Sequence, residues 1–284
     1  MNEIESGTLY LVPTPIGNLS DMTQRAISVL ENVDLIAAED TRHSGILLNH
    51  FHISREIISY HEHNKKETGP KIIELLKKGK SVAQCSDAGM PVISDPGADL
   101  VRLALDSGIK VVPLPGPNAA LTALIASGLD ARQFLFIGFL PKITAKKKKL
   151  LSDIQHLPVT LIFYEAPHRL KETLAVLRNE LGNRKAVLAR ELTKKFETFQ
   201  RGSLDELLGT LEITSPRGEY VVLLDGISEE SEIKEDKDMS WETAALELSE
   251  TSSIKEAARE ISRTYHLSRR EVYQYLLNHK EAIE

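Results

Sequence analysis

The stretch Ser86-Asp87-Ala88-Gly89-Met90-Pro91-Val92-Ile93-Ser94-Asp95-Pro96-Gly97 decides how this chain is read. It follows an apolar run at residues 82–85 that reads as a buried strand, and it precedes residues 98–106, whose apolar positions have helical spacing. In an α/β protein, a loop at the carboxyl end of a strand is where ligands bind. Its glycines permit unusual backbone angles and close approach to a ligand, and its prolines stiffen the path between. On its own the loop also fits a plain turn whose Asp and Ser cap the next helix.

Working outward, residues 8–12, 35–38, 57–60 and 110–114 read as further strands. Residues 22–31 read as a helix opened by a capping box of Asp21 and Gln24, and residues 71–78 as a helix stopped by Gly79. This alternation predicts an α/β fold with a mostly parallel sheet covered on both faces. Pro113-Leu114-Pro115-Gly116-Pro117 then makes a stiff break, and a second α/β series follows. Its helices are expected at 119–127, 146–155, 169–181 and 204–211, and its strands at 134–139, 160–164, 186–190, 196–199 and 220–224. The expected organisation is one α/β domain over 1–115, a second over 116–227, an acidic linker at 228–239 and a helical region at 240–284. In that last region Ser253 with Glu256, and Ser268 with Glu271, form capping boxes that open helices at 254–264 and 269–277. The pair is similar to a small helix-turn-helix, or to a plain helical hairpin.

The 284 residues carry a net charge of −6, so the chain is not a strongly basic nucleic-acid binder as a whole. Lys142 and Lys146 to Lys149 nevertheless form a dense basic patch, suited to a polyanion or to a solvated helix face. The one cysteine, Cys85, sits in an apolar run and reads as a buried inert thiol, in keeping with a reducing cytoplasm. No apolar stretch reaches the ~20 residues of a membrane span, and Glu3 and Glu5 replace the basic start of a signal peptide. No Gly-x-Gly occurs, which argues against the common dinucleotide-binding loop, and no Gly-x-Ser-x-Gly supports acyl hydrolysis. Gly79-Lys80-Ser81 precedes a strand where a phosphate-binding loop would follow one. His61-Glu62-His63 is too weak a pattern for a metal, and no metal is expected.

Four segments would meet at one rim if the strands of the first series run parallel: Thr14-Pro15-Ile16-Gly17-Asn18, Glu39-Asp40-Thr41-Arg42, the loop from Ser86 to Gly97, and Leu114-Pro115-Gly116-Pro117-Asn118. Together with Gly138-Phe139-Leu140-Pro141, Phe163-Tyr164-Glu165-Ala166-Pro167-His168-Arg169 and Ala189-Arg190-Glu191-Leu192-Thr193-Lys194, this ordered set resembles the tetrapyrrole methylase superfamily, and within it the methyltransferases of small-subunit ribosomal RNA. The resemblance covers residues 8–224. It implies a class III methyltransferase fold, a homodimer, and S-adenosyl-L-methionine held between two α/β domains. It further implies 2′-O-methylation of the ribose of a P-site cytidine in 16S rRNA, on naked rRNA or on the 30S subunit. The cofactor contacts it places here are Pro15, Ser86, Asp87, Ala88, Val92, Ile93, Ser94, Asn118 and Ala119, with apolar walls from Phe163, Tyr164, Leu188 and Ala189. Ser86 stands where the wider superfamily has glycine, and the loop is two residues longer.

A ribose hydroxyl needs a group to accept its proton. Asp40, paired with Arg42, is the favoured catalytic couple; Glu39, Asp87, His61 and Glu191 are alternatives. Lys146, Lys147, Lys148, Lys149, Arg190 and Lys194 are the expected RNA contacts. Competing readings are a methylase acting on a tetrapyrrole or a protein side chain, and a non-catalytic RNA-binding assembly factor.

Overall fold

A computed structural model describes residues 4–94, 97–213, 215–227, 241–265 and 267–280. The expected linker at 228–239, and Asp95 and Pro96 of the opening loop, lie outside them. The chain divides into two compact units, Met1–Gln155 with Val159–Asp225, and His156–Pro158 with Gly226–Glu284.

The first unit holds two five-stranded sheets. In the first, β1 (Thr8–Val12), β2 (Leu35–Ala38), β3 (Ile57–Ser59), β4 (Val82–Cys85) and β5 (Lys110–Pro113) lie in the order β3-β2-β4-β1-β5. Every pairing is parallel. Alternating residues serve opposite faces. Tyr10, Val12 and Ile36 pack on α1 (Gln24–Asn32) and α2 (Thr41–His50), through Ala26, Val29, Leu30, Leu47 and Leu48. Leu9, Leu35 and Ala37 pack on α3 (Lys65–Lys77) and α4 (Gly97–Asp106), through Ile72, Ile73, Leu76 and Leu100. Strand order reverses between β1 and β4, so the loops after these neighbours flank the crevice where such sheets bind ligands.

Several local readings are corrected. Thr23, not Asp21, caps α1: its side chain accepts from the Ala26 N–H, while Asp21 ends a short 3₁₀ turn capped by Asn18. Residues 41–50 form α2, a helix absent from the sequence reading, with Asp40 as its N-cap. The next helix begins at Lys65 and runs through Pro70.

The second sheet contains β6 (Phe134–Phe139), β7 (Thr160–Glu165), β8 (Lys185–Arg190), β9 (Thr198–Ser203) and β10 (Tyr220–Leu224), in the order β6-β7-β10-β8-β9. Only β6 and β7 pair in parallel; the other pairings are antiparallel. Strand β9 lies two residues beyond its expected start. Helix α5 (Ala119–Ser127) buries Ala120, Ala123 and Leu124 against Ile162, Val187, Ala189 and Val221 of this sheet. Helices α6 (Thr144–Ile154), α7 (Pro167–Leu181) and α8 (Leu204–Ile213) complete the unit.

The second unit has α9 (Trp241–Thr251), within the expected helical region though not delimited there, followed by α10 (Ile254–Thr264) and α11 (Arg269–Lys280). Its core is small: Ala245, Ala257, Ala258, Ile261, Val272 and Leu276. The Ser253–Glu256 capping box is formed in full. Among the described residues no helix is long and apolar enough to cross a membrane.

Candidate active site

The opening loop is stitched to the loop after β1. Thr14 N–H donates to the Gly89 carbonyl at 2.9 Å, and Gly89 N–H returns to the Thr14 carbonyl at 3.0 Å. Thr14 Oγ1 donates to the Ser86 carbonyl at 3.1 Å, and Ser86 Oγ to the Gly89 carbonyl at 3.1 Å. Gly89 has φ +79°, and a Cβ there would lie 3.3 Å from Ile16, so glycine lets the two loops touch. Further on, Val92 (φ +78°) and Ser94 (φ +65°) adopt left-handed backbone. For a β-branched residue that is strain of roughly 1–3 kcal/mol, of the kind that collects at functional loops. Ser94 Oγ in turn packs at Gly138, where a Cβ would come within 3.3 Å; Gly138 stands at the register shift of β6.

Between this loop and the second sheet is a cavity of about 310 Å³, within the ordinary range for small-molecule sites. Ser86, Asp87, Ala88, Ile93 and Ser94 line one side, Asn118 and Ala119 the start of α5, and Tyr164 and Ala189 the sheet; all are among the contacts the resemblance implies. The Asn118 side chain accepts from the Leu121 N–H and fixes that helix start. Phe163 and Leu188 are not in the wall. Strand side chains alternate faces, so Phe163 and Leu188, the residues before Tyr164 and Ala189, serve the opposite face, and both are fully buried. Pro15 is absent too, because it lines a neighbouring cavity. Val92 does not reach this wall either, its backbone turning through the left-handed region.

The sequence reading missed Ile16, Gly89, Met90, Phe139, Glu165, Leu192, Glu219, Tyr220 and Val221 as wall residues, and held Glu39 only as a possible base. Most fall within the motifs that carried the resemblance; Tyr220 and Val221 gave only a strand signal. Phe136 and Phe139 meet Tyr164 edge to face, at 5.0 and 5.8 Å between centroids. Glu165 is held by Thr173 Oγ1 at 2.5 Å and by the Ala166 N–H at 2.9 Å, with Arg169 at 3.6 Å.

These residues fit S-adenosylmethionine. Ile16, Met90, Ile93, Tyr164 and Leu192 offer apolar surface to an adenine, and Glu39, Asp87 and Glu219 offer acceptors to an ammonium group and ribose hydroxyls.

Asp40 stands at the rim, outside the wall. Its N–H donates to Asp87 Oδ1 at 3.1 Å, tying the ends of β2 and β4. Its carboxylate accepts from the Arg42 N–H at 2.8 Å and from the Arg42 guanidinium at 2.7 and 3.1 Å. The guanidinium, then the N–H, hold Asp40 far below the ordinary carboxylate range. The Arg42 side chain is 90% exposed. Glu191 is also held low, first by the Glu219 N–H and then by Lys194.

The expected RNA contacts divide. Lys146 and Lys149 are exposed, and Lys148 is exposed but 3.6 Å from Glu180. Lys147 is buried on the inner face of α6 with Leu151 and Ile154 and bonds Glu172, so it is not available to a phosphate. Arg190 Nε donates to the Arg217 carbonyl, and Lys194 pairs with Glu191 and Glu219. Cys85 is buried and its thiol is pushed up to about 12 by that burial, as an inert thiol should be. Among the described residues no His, Cys, Asp and Glu group could hold a metal.

Comparison with known proteins bears on this arrangement. The family described as Tetrapyrrole (Corrin/Porphyrin) Methylases matches residues 8–208. A Streptococcus pyogenes protein named ribosomal RNA small subunit methyltransferase I is 50% identical over 95% of this chain and 94% of its own length. A Bacillus subtilis protein of the same name is 49% identical over 95% and 94%. Two solved structures share the fold at low identity. The uroporphyrin-III-C-methyltransferase of Thermus thermophilus has TM-score 0.55 at 21% identity, covering 81% of this chain and 98% of its own. A cobalt precorrin-4 methyltransferase has TM-score 0.58 at 16% identity, covering 77% and 95%. With that family model matching residues 8–208 and these relatives half identical over nearly the whole chain, the chain belongs to the tetrapyrrole methylases, in the branch of ribosomal RNA small subunit methyltransferase I.

Proposed function

We propose that this protein transfers a methyl group from S-adenosyl-L-methionine to the ribose 2′-hydroxyl of a P-site cytidine in small-subunit rRNA. The observation that carries the reading is the cavity at the rim of the parallel sheet, in a chain half identical to relatives named ribosomal RNA small subunit methyltransferase I. The residues that would hold the donor are Ser86, Asp87, Ala88, Ile93, Ser94, Asn118, Ala119, Tyr164 and Ala189. When bound, the donor supplies an electrophilic methyl group on a sulfonium.

The protein's own part is to align the hydroxyl and take its proton. Alignment of bound reactants is worth ~7–11 kcal/mol of barrier. Asp40 and Arg42 form the catalytic couple. Arg42 is exposed and offers a fork suited to a phosphate. As Arg42 moves to a phosphate of the RNA, Asp40 loses the charge that keeps it acidic and becomes a better proton acceptor. Lys146, Lys148 and Lys149 contact the RNA backbone, with Arg190 and Lys194 near the cavity mouth. The protein acts in the cytoplasm as a homodimer, for which the exposed apolar pair Leu121 and Ile125 on α5 offers a surface.

The test is methyl transfer from labelled donor to 30S subunits and to naked 16S rRNA, followed by nucleoside analysis. A ribose-methylated cytidine is the expected product. Transfer to a tetrapyrrole or protein instead, or donor binding with no transfer, overturns the reading.

A further inference from the structure

Beside the donor cavity is a second cavity of about 220 Å³, which shares Ser86 and Asp87 with the first. We infer that this second cavity receives the base of the nucleotide to be methylated, a pyrimidine drawn out of the RNA stack. The inference rests on the RNA-methyltransferase reading and deepens it, by naming where the target base goes.

Its walls match a nucleobase in kind. Pro15, Leu19, Ile46 and Leu47 supply apolar surface for the two flat faces. Leu19 and Ile46 are 39% and 71% exposed, so they form an apolar mouth open to solvent. Leu19 opens a 3₁₀ turn and Ile46 lies in the middle of α2, and an entering base would cover both. For the polar edge there are His43 and Ser44. The Ser44 hydroxyl is buried and has no hydrogen-bond partner among the described residues. A buried hydroxyl without a partner is costly, and such a group beside a cavity is accounted for when a ligand supplies the missing bond. Enzymes that do chemistry on a base take it out of the stack and read its edge in a pocket; a base held here would present its own ribose to the donor in the same way.

The position also suits the chemistry. A nucleotide with its base in this cavity places its ribose at the wall shared with the donor cavity, formed by Ser86 and Asp87. Asp87 is there joined to the Asp40 N–H at 3.1 Å. The next turn of chain carries the exposed Arg42 guanidinium, within reach of the flanking phosphate. Donor, reacting sugar, base and phosphate thus each meet a different group at the ends of β1, β2 and β4.

The test uses Ile46→Glu, at the exposed mouth, and Ser44→Ala, which deletes the buried hydroxyl without adding bulk. Donor binding is measured by calorimetry with S-adenosylhomocysteine, and kcat/KM with 30S subunits that carry C or U at the target position. The expected result is unchanged donor affinity in both variants and a loss of kcat/KM of at least ~10-fold in Ile46→Glu. Ser44→Ala is expected to narrow the preference between C and U. Fluorescence of an RNA carrying pyrrolocytosine at the target position should change on binding the native protein and not the Ile46→Glu variant. If both variants bind donor and keep native kcat/KM and C/U preference, the base site is wrong while the methyltransferase reading stands. If the native protein methylates neither 30S nor rRNA, both fall.

Discussion

The two sheets of the first unit contribute to the cavity in opposite ways. The first, all parallel, delivers loops: the chain leaves β1, β2, β4 and β5 at one rim, and backbone and capping groups from those loops form the floor. The second, mostly antiparallel, delivers strand side chains one position in from the strand ends, such as Tyr164, Ala189 and Val221. A change in the first sheet's loops should therefore alter chemistry while sparing the fold. On the second sheet the outcome should differ between a cavity residue such as Tyr164 and the residue before it, Phe163, on the opposite face.

The sharpest break of that contrast is on β7. Phe163→Ala, fully buried, should cost ~3–5 kcal/mol of stability, read as a lowered midpoint in urea. Tyr164→Ala should instead weaken donor binding at a smaller cost in stability; equal destabilisation by the two would deny the alternation. On the first sheet's side, Asp40→Asn should lower methyl transfer by at least ~100-fold with donor affinity near native. Unchanged turnover would remove Asp40 from the catalytic couple and leave it as the cap of α2.

Gly116 joins the two sheets. A Cβ there would lie 2.5 Å from Pro13 Cβ, so Gly116→Ala should cost ~1–3 kcal/mol in thermal or urea unfolding. A neutral effect would mean that the junction can give. On α6, exchanging Lys146 and Lys149 together for Ala should reduce the salt slope of RNA binding by about 2. Lys147→Ala should act on stability and leave the slope alone. The smallest effect concerns the first sheet's own stitching. Asp34 is lowered to about 2, first by the Lys80 ammonium and then by the Ser81 N–H. Its unfolded value is near 3.9, so its contribution is complete above about pH 4 and is lost as pH falls towards 2. Asp34→Asn should flatten the stability profile over that window.

Much of this was legible in sequence because strand-then-loop punctuation is written in residue type. The runs at 8–12 and 82–85, each followed by a Pro- and Gly-rich segment, mark the rim in the sequence itself. Helix α2 was not legible. Only Ser44, Leu47 and Leu48 of its ten residues are buried, and its start is marked by Asp40, a residue read for chemistry and not for capping. Phe163 next to Tyr164, and Leu188 next to Ala189, fall on opposite faces, which sequence motifs do not distinguish. Lys147 misled for the converse reason: four lysines in a row on a helix cannot all face solvent, and this one shares the inner stripe with Leu151 and Ile154.

The two reciprocal hydrogen bonds between Thr14 and Gly89 have a kinetic consequence. A wall fastened to the neighbouring strand end cannot swing aside as a lid, so donor arrival and departure need not wait for residues 86–89 to open. Association should then follow a single concentration-proportional phase in stopped-flow, without a plateau set by an opening rate. Loosening the seam at position 14 would be the way to introduce such a delay.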